Sequence, residues 1–360
     1  MKKNSDATVN LDADADADAD ACDAGSTWRF CVAPMMDWTD RHCRMFHRSL
    51  SKRARLYTEM ITTGALLHGD ASAHLRFDPR EHPVALQLGG SEPAALASAA
   101  SMGARWGYDE INLNCGCPSD RVQRGAFGAC LMREPKLVAD CFKAMADAVT
   151  VPITVKHRLG LGRDQSMTLV TDFVGELHKA GCRHFIVHAR NAWLEGLSPK
   201  DNRDIPPLRY DDVYRLAQAF RDSHFILNGG LSEHQQAFDA LHQLSGVMIG
   251  RAAYQNPALL ADVDRLWFGL PVQLPSGFPP NLDVLIAAME QYRHYMLGQL
   301  AIGVPLASMT RHILGLFQGR PGARLFRRDL SDQHAMRTQG IDWFDASLSR
   351  FLTVQRTEEM

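Results

Sequence analysis

The chain has no long apolar run: nothing in it approaches the roughly 20 consecutive residues that a membrane-spanning helix needs, and no charged-then-apolar leader opens it. A soluble, cytoplasmic protein without membrane attachment is the expectation. An excess of either charge is missing too, since 39 Lys and Arg stand against 41 Asp and Glu, a formal net charge of −2. That excludes a protein basic all over and confines any nucleic-acid site to a local patch. Cysteine is scarce and unpatterned. Eight thiols scattered over 360 residues exclude a small disulfide-stapled scaffold and suit a reducing cytosol. No second Cys or His pair at zinc-site spacing accompanies Cys115 and Cys117, so no metal is expected. Finally, no Gly-x-Gly-x-x-Gly turn follows the first β-rich run, which argues against a doubly wound nucleotide-binding sheet.

What is present is ample apolar material, 46% of residues, enough for one large core and a smaller unit beside it. Residues 1–27 include a strict Ala-Asp alternation, Asp12 to Ala21, whose like charges and lack of bulk predict a disordered tail. From Trp28 onward, short β-rich runs alternate with amphipathic stretches. The runs are Phe30 to Ala33, Leu56 to Thr58, Val84 to Leu88, Glu110 to Leu113, Ile153 to Lys156, His184 to His188, Phe225 to Asn228 and Val247 to Ile249. Eight such runs over roughly 240 residues predict a (β/α)8 TIM barrel across residues 28–270. The stretch PVQLPSGFPPN, residues 271–281, has the composition of a linker. Beyond it, Leu282, Leu285, Ile286, Met289, Tyr292, Met296 and Leu300 recur at helical spacing, as do apolar residues from Trp343 to Val354. Residues 282–360 are therefore read as a small C-terminal helical bundle.

Barrel active sites are assembled at the C-terminal ends of the strands, and nearly every unusual polar residue falls there. Pro34, Met35 and Met36 follow the first run, Gln87 lies in the third, and Asn112 to Cys117 close the fourth. Lys156 ends the fifth, His188 the sixth, Asn228-Gly229-Gly230 the seventh, and Gly250-Arg251 follow the eighth. The last two places are where barrels bind phosphate, with glycines baring backbone N–H groups and a cation completing the cradle. Taken singly, Asn-Gly-Gly is also an ordinary tight turn and Gly-Arg an ordinary helix start. Lys156, after the apolar Ile153-Thr154-Val155, would set an ammonium into the barrel mouth, suited to negative charge on a reduced flavin, although a solvated strand end is the plainer alternative. Gln87 could meet a flavin edge or bond only to backbone, and His188 could touch cofactor or substrate or be a satisfied core histidine. Cys117, bracketed by Gly116 and Pro118 in a mouth loop, is the candidate proton donor, against the alternative of two buried inert thiols.

At these residues the chain resembles the bacterial tRNA-dihydrouridine synthases, from about Phe30 to Leu330. The strings that carry the resemblance are APMMDWTDRHCR from Ala33, YTEM from Tyr57, QLGG from Gln87, NLNCGCPS from Asn112, VKHRLG from Val155, HARNAWLEGLSPKDNRDIPPL from His188, LNGG from Leu227 and GRAAYQNP from Gly250. Residues 196–207 and RHILGLFQGRPGAR from Arg311 are similar to the A-type subfamily, which modifies positions 20 and 20a of the D-loop. The resemblance implies noncovalent FMN, held by Pro34, Met35, Met36, Gln87, Lys156, His188, Asn228, Gly229, Gly230, Gly250 and Arg251, with NADPH as reductant. It implies Cys117 as catalytic acid and tRNA contacts at Asn114 and Arg203. Hydride would pass to uracil C6 while the thiol protonates C5 of a flipped-out base.

A barrel flavoprotein acting on a small enone or pyrimidine is the main rival, because a barrel with FMN does not fix the substrate. The C-terminal stretch discriminates. Arg311, Arg320, Arg324, Arg327 and Arg328 lie together without an intervening Asp or Glu, a basic surface that tRNA needs and a small substrate does not, although such clusters also occur as plain solvated faces. A non-catalytic RNA-binding protein is disfavoured by the intact cofactor set. A monomer is expected.

Overall fold

A computed structural model describes residues 26–242, 244–269 and 281–358. The Ala-Asp alternation and nearly all of the Pro-rich stretch lie outside these residues. The described chain starts with a 3-10 turn at Ser26–Trp28, followed by β1 (Phe30–Val32), β2 (Leu56–Tyr57), β3 (Ile61–Thr62), β4 (Val84–Gly89), β5 (Glu110–Cys115), β6 (Ile153–Arg158), β7 (His184–His188), β8 (His224–Asn228) and β9 (Gly246–Ile249). Every pairing is parallel, in the order β1-β9-β8-β7-β6-β5-β4-β2. The ring closes between its ends, where Cys31 bridges Arg55 and Val32 N–H donates to the Arg55 carbonyl at 2.9 Å. The fold is thus a (β/α) barrel, with β3 an unforeseen two-residue strand beside the far end of β4.

Several strands run further than their β-rich cores. β5 continues to Cys115 and β6 to Arg158, so Lys156 lies inside its strand and not at its end. Polar side chains hid these extensions, because inward positions of this barrel are polar at both rims. β-strand side chains alternate between faces. On β5, Ile111, Leu113 and Cys115 pack outward against the helical layer, leaving Glu110, Asn112 and Asn114 for the lumen. The lumen itself has a small apolar waist of Trp28, Cys31, Ala33, Tyr57, Ala85, Ile186, Ile226 and Met248.

Its floor is ionic. The Glu110 carboxylate accepts from Trp28 Nε1 (2.7 Å), Arg55 Nη1 (3.1 Å), Tyr57 Oη (2.8 Å) and Thr154 Oγ1 (2.5 Å), with all five side chains buried. Four donors on one carboxylate offset the cost of burying its charge with that of Arg55. Burial beside this carboxylate pushes the Tyr57 hydroxyl and the Cys31 thiol well above their ordinary pKa values, so both stay protonated.

The C-terminal helices follow the predicted spacing. Helix Leu282–Ala301 buries Leu285, Met289, Tyr292 and Met296, and Tyr292 packs its ring 5.2 Å from Phe46 on the helix Arg41–Leu50. Phe317, Phe326 and Phe351 stack into a second aromatic knot that joins helix Ala323–Asp329 to helix Ile341–Glu358. The hydrophobic cluster is continuous from barrel helices into these elements. A polar clasp fastens them to the rim: Asp40 caps the helix Arg41–Leu50 and also accepts from Arg311 Nη2 (2.5 Å), with His312 Nε2 3.1 Å from its Oδ1. These contacts hold the Asp40 carboxyl well below the usual carboxylate range despite its burial. No described helix is long and apolar enough to cross a membrane.

Candidate active site

Side-chain alternation delivers the site. Gln87, Asn112, Asn114, Lys156, Arg158, His188 and Asn228 take the inward positions at the C-terminal rim, and the register sets Arg158, His188, Asn228 and Met248 side by side across β6 to β9. Lys156 is half-buried and donates through Nζ to Asn228 Oδ1 at 3.0 Å, while Asn228 Nδ2 donates to the Met248 carbonyl at 2.8 Å. Desolvation, and then the neighbouring Arg158 charge, lower the Lys156 pKa to about 7, with Cys117 opposing. A lysine in this state can hold or release a proton near neutrality. His188 is buried and held neutral, its pKa pushed well below the ordinary value by desolvation and by Arg158 and Lys156.

The two thiols separate cleanly. Cys115 is the last outward residue of β5, wholly buried, and burial raises its pKa well above normal. Cys117 sits in the loop beyond the strand, half-buried, with Sγ 3.6 Å from Ser119 Oγ. Its loop is fixed on three sides. Asn114 Oδ1 accepts from the N–H groups of Gly116 (3.1 Å) and Cys117 (3.0 Å), Ala129 N–H donates to the Cys117 carbonyl (2.9 Å), and Arg158 Nε donates to the Gly116 carbonyl (3.1 Å). Asn114 is buried, and its amide is spent on this loop and on Gln87.

Arg158 was not singled out in the sequence. It is buried, donates also to the Asn202 carbonyl at 2.9 Å, and so ties the Cys117 loop to the long segment after β7; desolvation chiefly lowers its pKa, to about 9. The signal that could have found it was its place two residues after Lys156, on the same face of one strand.

The glycine pair has a steric reason. Gly229 and Gly230 have φ of 113° and 72°, and a Cβ on Gly229 would lie 2.5 Å from His188 Cδ2. Only glycine fits, and the backbone is bare there. Among the described residues no group accepts from the Gly229 or Gly230 N–H. Gly250, in contrast, has negative φ and only ordinary clearance to Ala33 and Met35, which bring the loop after β1 against the loop after β9. Met35 N–H donates to Thr39 Oγ1 (2.9 Å), Pro34 is half-buried, and Met36 projects outward with 56% exposure. Arg251 forks onto Asp204, Nη2 to Oδ1 at 2.5 Å and Nη1 to Oδ2 at 2.9 Å, next to the exposed Arg203 of the turn Asp201–Arg203. That pairing was not foreseen, because Asp204 stands 47 residues away.

The basic residues divide. Arg311 is engaged at the Asp40 clasp, whereas Arg324, Arg327 and Arg328 lie exposed along helix Ala323–Asp329 at helical spacings of three and four, with Arg320 half-buried just before it. The run free of acidic residues ends at Asp329, the next residue in the chain, which lies 3.8 Å from Arg328 while its Oδ2 is held by Arg350 at 2.6 Å. Among the described residues no three His, Cys, Asp or Glu side chains gather as a metal site.

A closed parallel barrel that gathers these groups at its C-terminal rim, over an ionic floor, has the build of barrel enzymes, which assemble their active sites at that face. Residues 31–352 match the family described as Dihydrouridine synthase (Dus), and the chain belongs to that family. It is 55% identical over 307 residues to a tRNA-dihydrouridine(20/20a) synthase of Pseudomonas syringae pv. tomato, covering 85% of this chain and 89% of that protein. To the proteins of that name from Xanthomonas axonopodis pv. citri and Yersinia pestis it is 52% and 51% identical, over 89% of this chain and 93% and 91% of theirs. Among solved structures, morphinone reductase aligns with a TM-score of 0.47 at 14% identity, over 71% of this chain and 88% of that one.

Proposed function

We propose that this protein reduces uridine to 5,6-dihydrouridine in tRNA, at positions 20 and 20a of the D-loop, with noncovalent FMN and with NADPH as reductant. The observation that carries the reading is the Cys117 loop: a half-buried thiol on the rim, fastened by Asn114, Ala129 and Arg158, beside a lumen whose polar groups face the same space.

The residues suit a flavin phosphate and ring. Two consecutive bare N–H groups at Gly229 and Gly230, together with the Arg251 guanidinium after β9, suit a phosphate, and Gln87, Lys156 and His188 offer the ring donors and a cation of adjustable charge. When bound, the flavin supplies hydride to C6 of the uracil. The chain does the rest: Cys117 holds the proton that C5 receives, the fixed loop keeps Sγ against one face of the base, and Arg158 and Lys156 place positive charge where the ring gathers electrons. The exposed arginines of helix Ala323–Asp329, with Arg203 at the mouth, favour a tRNA over a small pyrimidine or enone.

Mapping dihydrouridine in tRNA from cells lacking the protein tests the reading. Loss confined to positions 20 and 20a, restored by the wild-type gene and not by Cys117→Ala, is expected; unchanged tRNA would refute it. A second outcome concerns Arg251. Arg251→Ala leaves the phosphate without its cation, so the purified variant should retain less flavin than wild type, read from the ratio of flavin to protein absorbance. Full occupancy would remove Arg251 from the phosphate site.

A further inference from the structure

A one-way chain of hydrogen bonds climbs the barrel lumen. Thr154 Oγ1 donates to Glu110 Oε1 (2.5 Å); Asn112 Nδ2 donates to Thr154 Oγ1 (2.7 Å); Gln87 Nε2 donates to Asn112 Oδ1 (2.7 Å); Asn114 Nδ2 donates to Gln87 Oε1 (2.9 Å). At the top, Asn114 Oδ1 is left as the acceptor for the Gly116 and Cys117 N–H groups. Every link from Glu110 to Asn114 is buried, so water cannot substitute for a lost partner without entering the lumen.

The direction of this chain is imposed from its lower end. A carboxylate only accepts, so Thr154 must spend its proton on Glu110 and can then only accept from Asn112. Asn112 therefore turns its Nδ2 to Thr154 and its Oδ1 to Gln87, Gln87 turns its Nε2 to Asn112 and its Oε1 to Asn114, and Asn114 is left with its oxygen toward the loop. The reverse order would set the Asn114 NH2 against two backbone N–H donors and leave Glu110 without the Thr154 proton. Aligned bonds also polarise one another, and a charge at the accepting end makes the last oxygen the better acceptor.

We infer that Glu110, Thr154 and Asn112 are positioning residues for the Cys117 loop, acting through Gln87 and Asn114: one carboxylate on the barrel floor orders three amides so that an oxygen, and not an NH2, meets the loop that holds the thiol. The consequence for catalysis rests on the proposed role of Cys117. Because Gln87 is also a proposed flavin contact, the same chain would orient the donor and acceptor that the cofactor meets.

Thr154→Val removes the hydroxyl while keeping the shape, and Thr154→Ser restores it. Amide hydrogen exchange of the flavin-loaded protein, read at Gly116 and Cys117, should accelerate about fivefold in the Val variant, the loss expected of one hydrogen bond, and return to the wild-type rate in the Ser variant. Exchange in the outward half of β6 should not move. In parallel, tRNA-dependent flavin reoxidation at saturating tRNA should slow about threefold or more in Thr154→Val, with little change in KM, because the rim arginines are untouched. Should Thr154→Val fail to fold, Thr154→Ala removes the same hydroxyl with less bulk and carries the same expectation. Equal exchange in wild type and the hydroxyl-free variant, or equal behaviour of Val and Ser, overturns the chain. Faster exchange with unchanged reoxidation leaves the chain standing and overturns its part in positioning the thiol, while the role of Cys117 itself is read from Cys117→Ala.

Discussion

Cys117→Ala is expected to leave flavin reduction by NADPH near normal and to slow flavin reoxidation by tRNA by about 10²-fold or more, the usual worth of a positioned general acid. The split follows from where the thiol stands. Reduction of the cofactor never involves it, whereas hydride arrival at C6 builds negative charge over C5 and the C4 carbonyl that only a proton at C5 can quench. Cys115→Ala is the internal control. Its thiol is buried on the helical side of β5, with burial driving the pKa upward, so it can neither reach the lumen nor give up a proton readily. Its loss should cost only packing, on the order of 1 kcal/mol for so small a group. Stopped-flow reoxidation of both reduced variants with tRNA decides the matter, and comparable losses, or a loss only in Cys115→Ala, would reverse the assignment.

Replacing Arg320, Arg324, Arg327 and Arg328 together by Gln should raise the Michaelis constant for tRNA by roughly 10-fold to 100-fold, while NADPH oxidation by the bound flavin persists. Arg324, Arg327 and Arg328 project from one short helix into solvent, where a guanidinium contributes little to stability but neutralises a phosphate at little desolvation cost. The diagnostic is ionic strength. The slope of log affinity against log salt should become shallower by about 0.7 to 0.9 for each phosphate that is no longer neutralised, so three such phosphates lower it by about 2 to 3. An unchanged slope would remove these residues from the interface and restore the case for a small-molecule substrate. Arg311 is left out of the set because it serves the Asp40 clasp, and its loss would disturb the seating of the helices as well as any RNA binding.

The features that could be read without coordinates are those whose cause is local. Strand period and the helix spacing at Leu285, Met289, Tyr292 and Met296 follow from a few consecutive residues. Barrel geometry then places strand-end polar residues at one rim, which is why Gln87, Lys156, His188 and Asn228 could be picked out together. Strand ends were less legible. β5 and β6 continue through Asn114-Cys115 and His157-Arg158, polar tails that resemble loop in a linear reading and that only a filled lumen makes into strand, and Arg158 was missed with them. The different burial of Cys115 and Cys117 follows from alternation along the longer β5 more than from the flanking Gly116 and Pro118.

By itself, then, the amino-acid order determined which backbone goes where: eight parallel βα units, a bare glycine turn after β8, a thiol-bearing loop after β5 and apolar faces for the C-terminal helices. Tertiary structure alone decided the partners. Arg251 meets Asp204, Arg311 meets Asp40, and Glu110 gathers Trp28, Arg55 with Tyr57, and Thr154 from three other places in the chain. The reason is physical. Backbone conformation responds to neighbours within one turn or one pleat, whereas a hydrogen bond or ion pair between distant side chains exists only after closure of the barrel has set the register of every strand against the next.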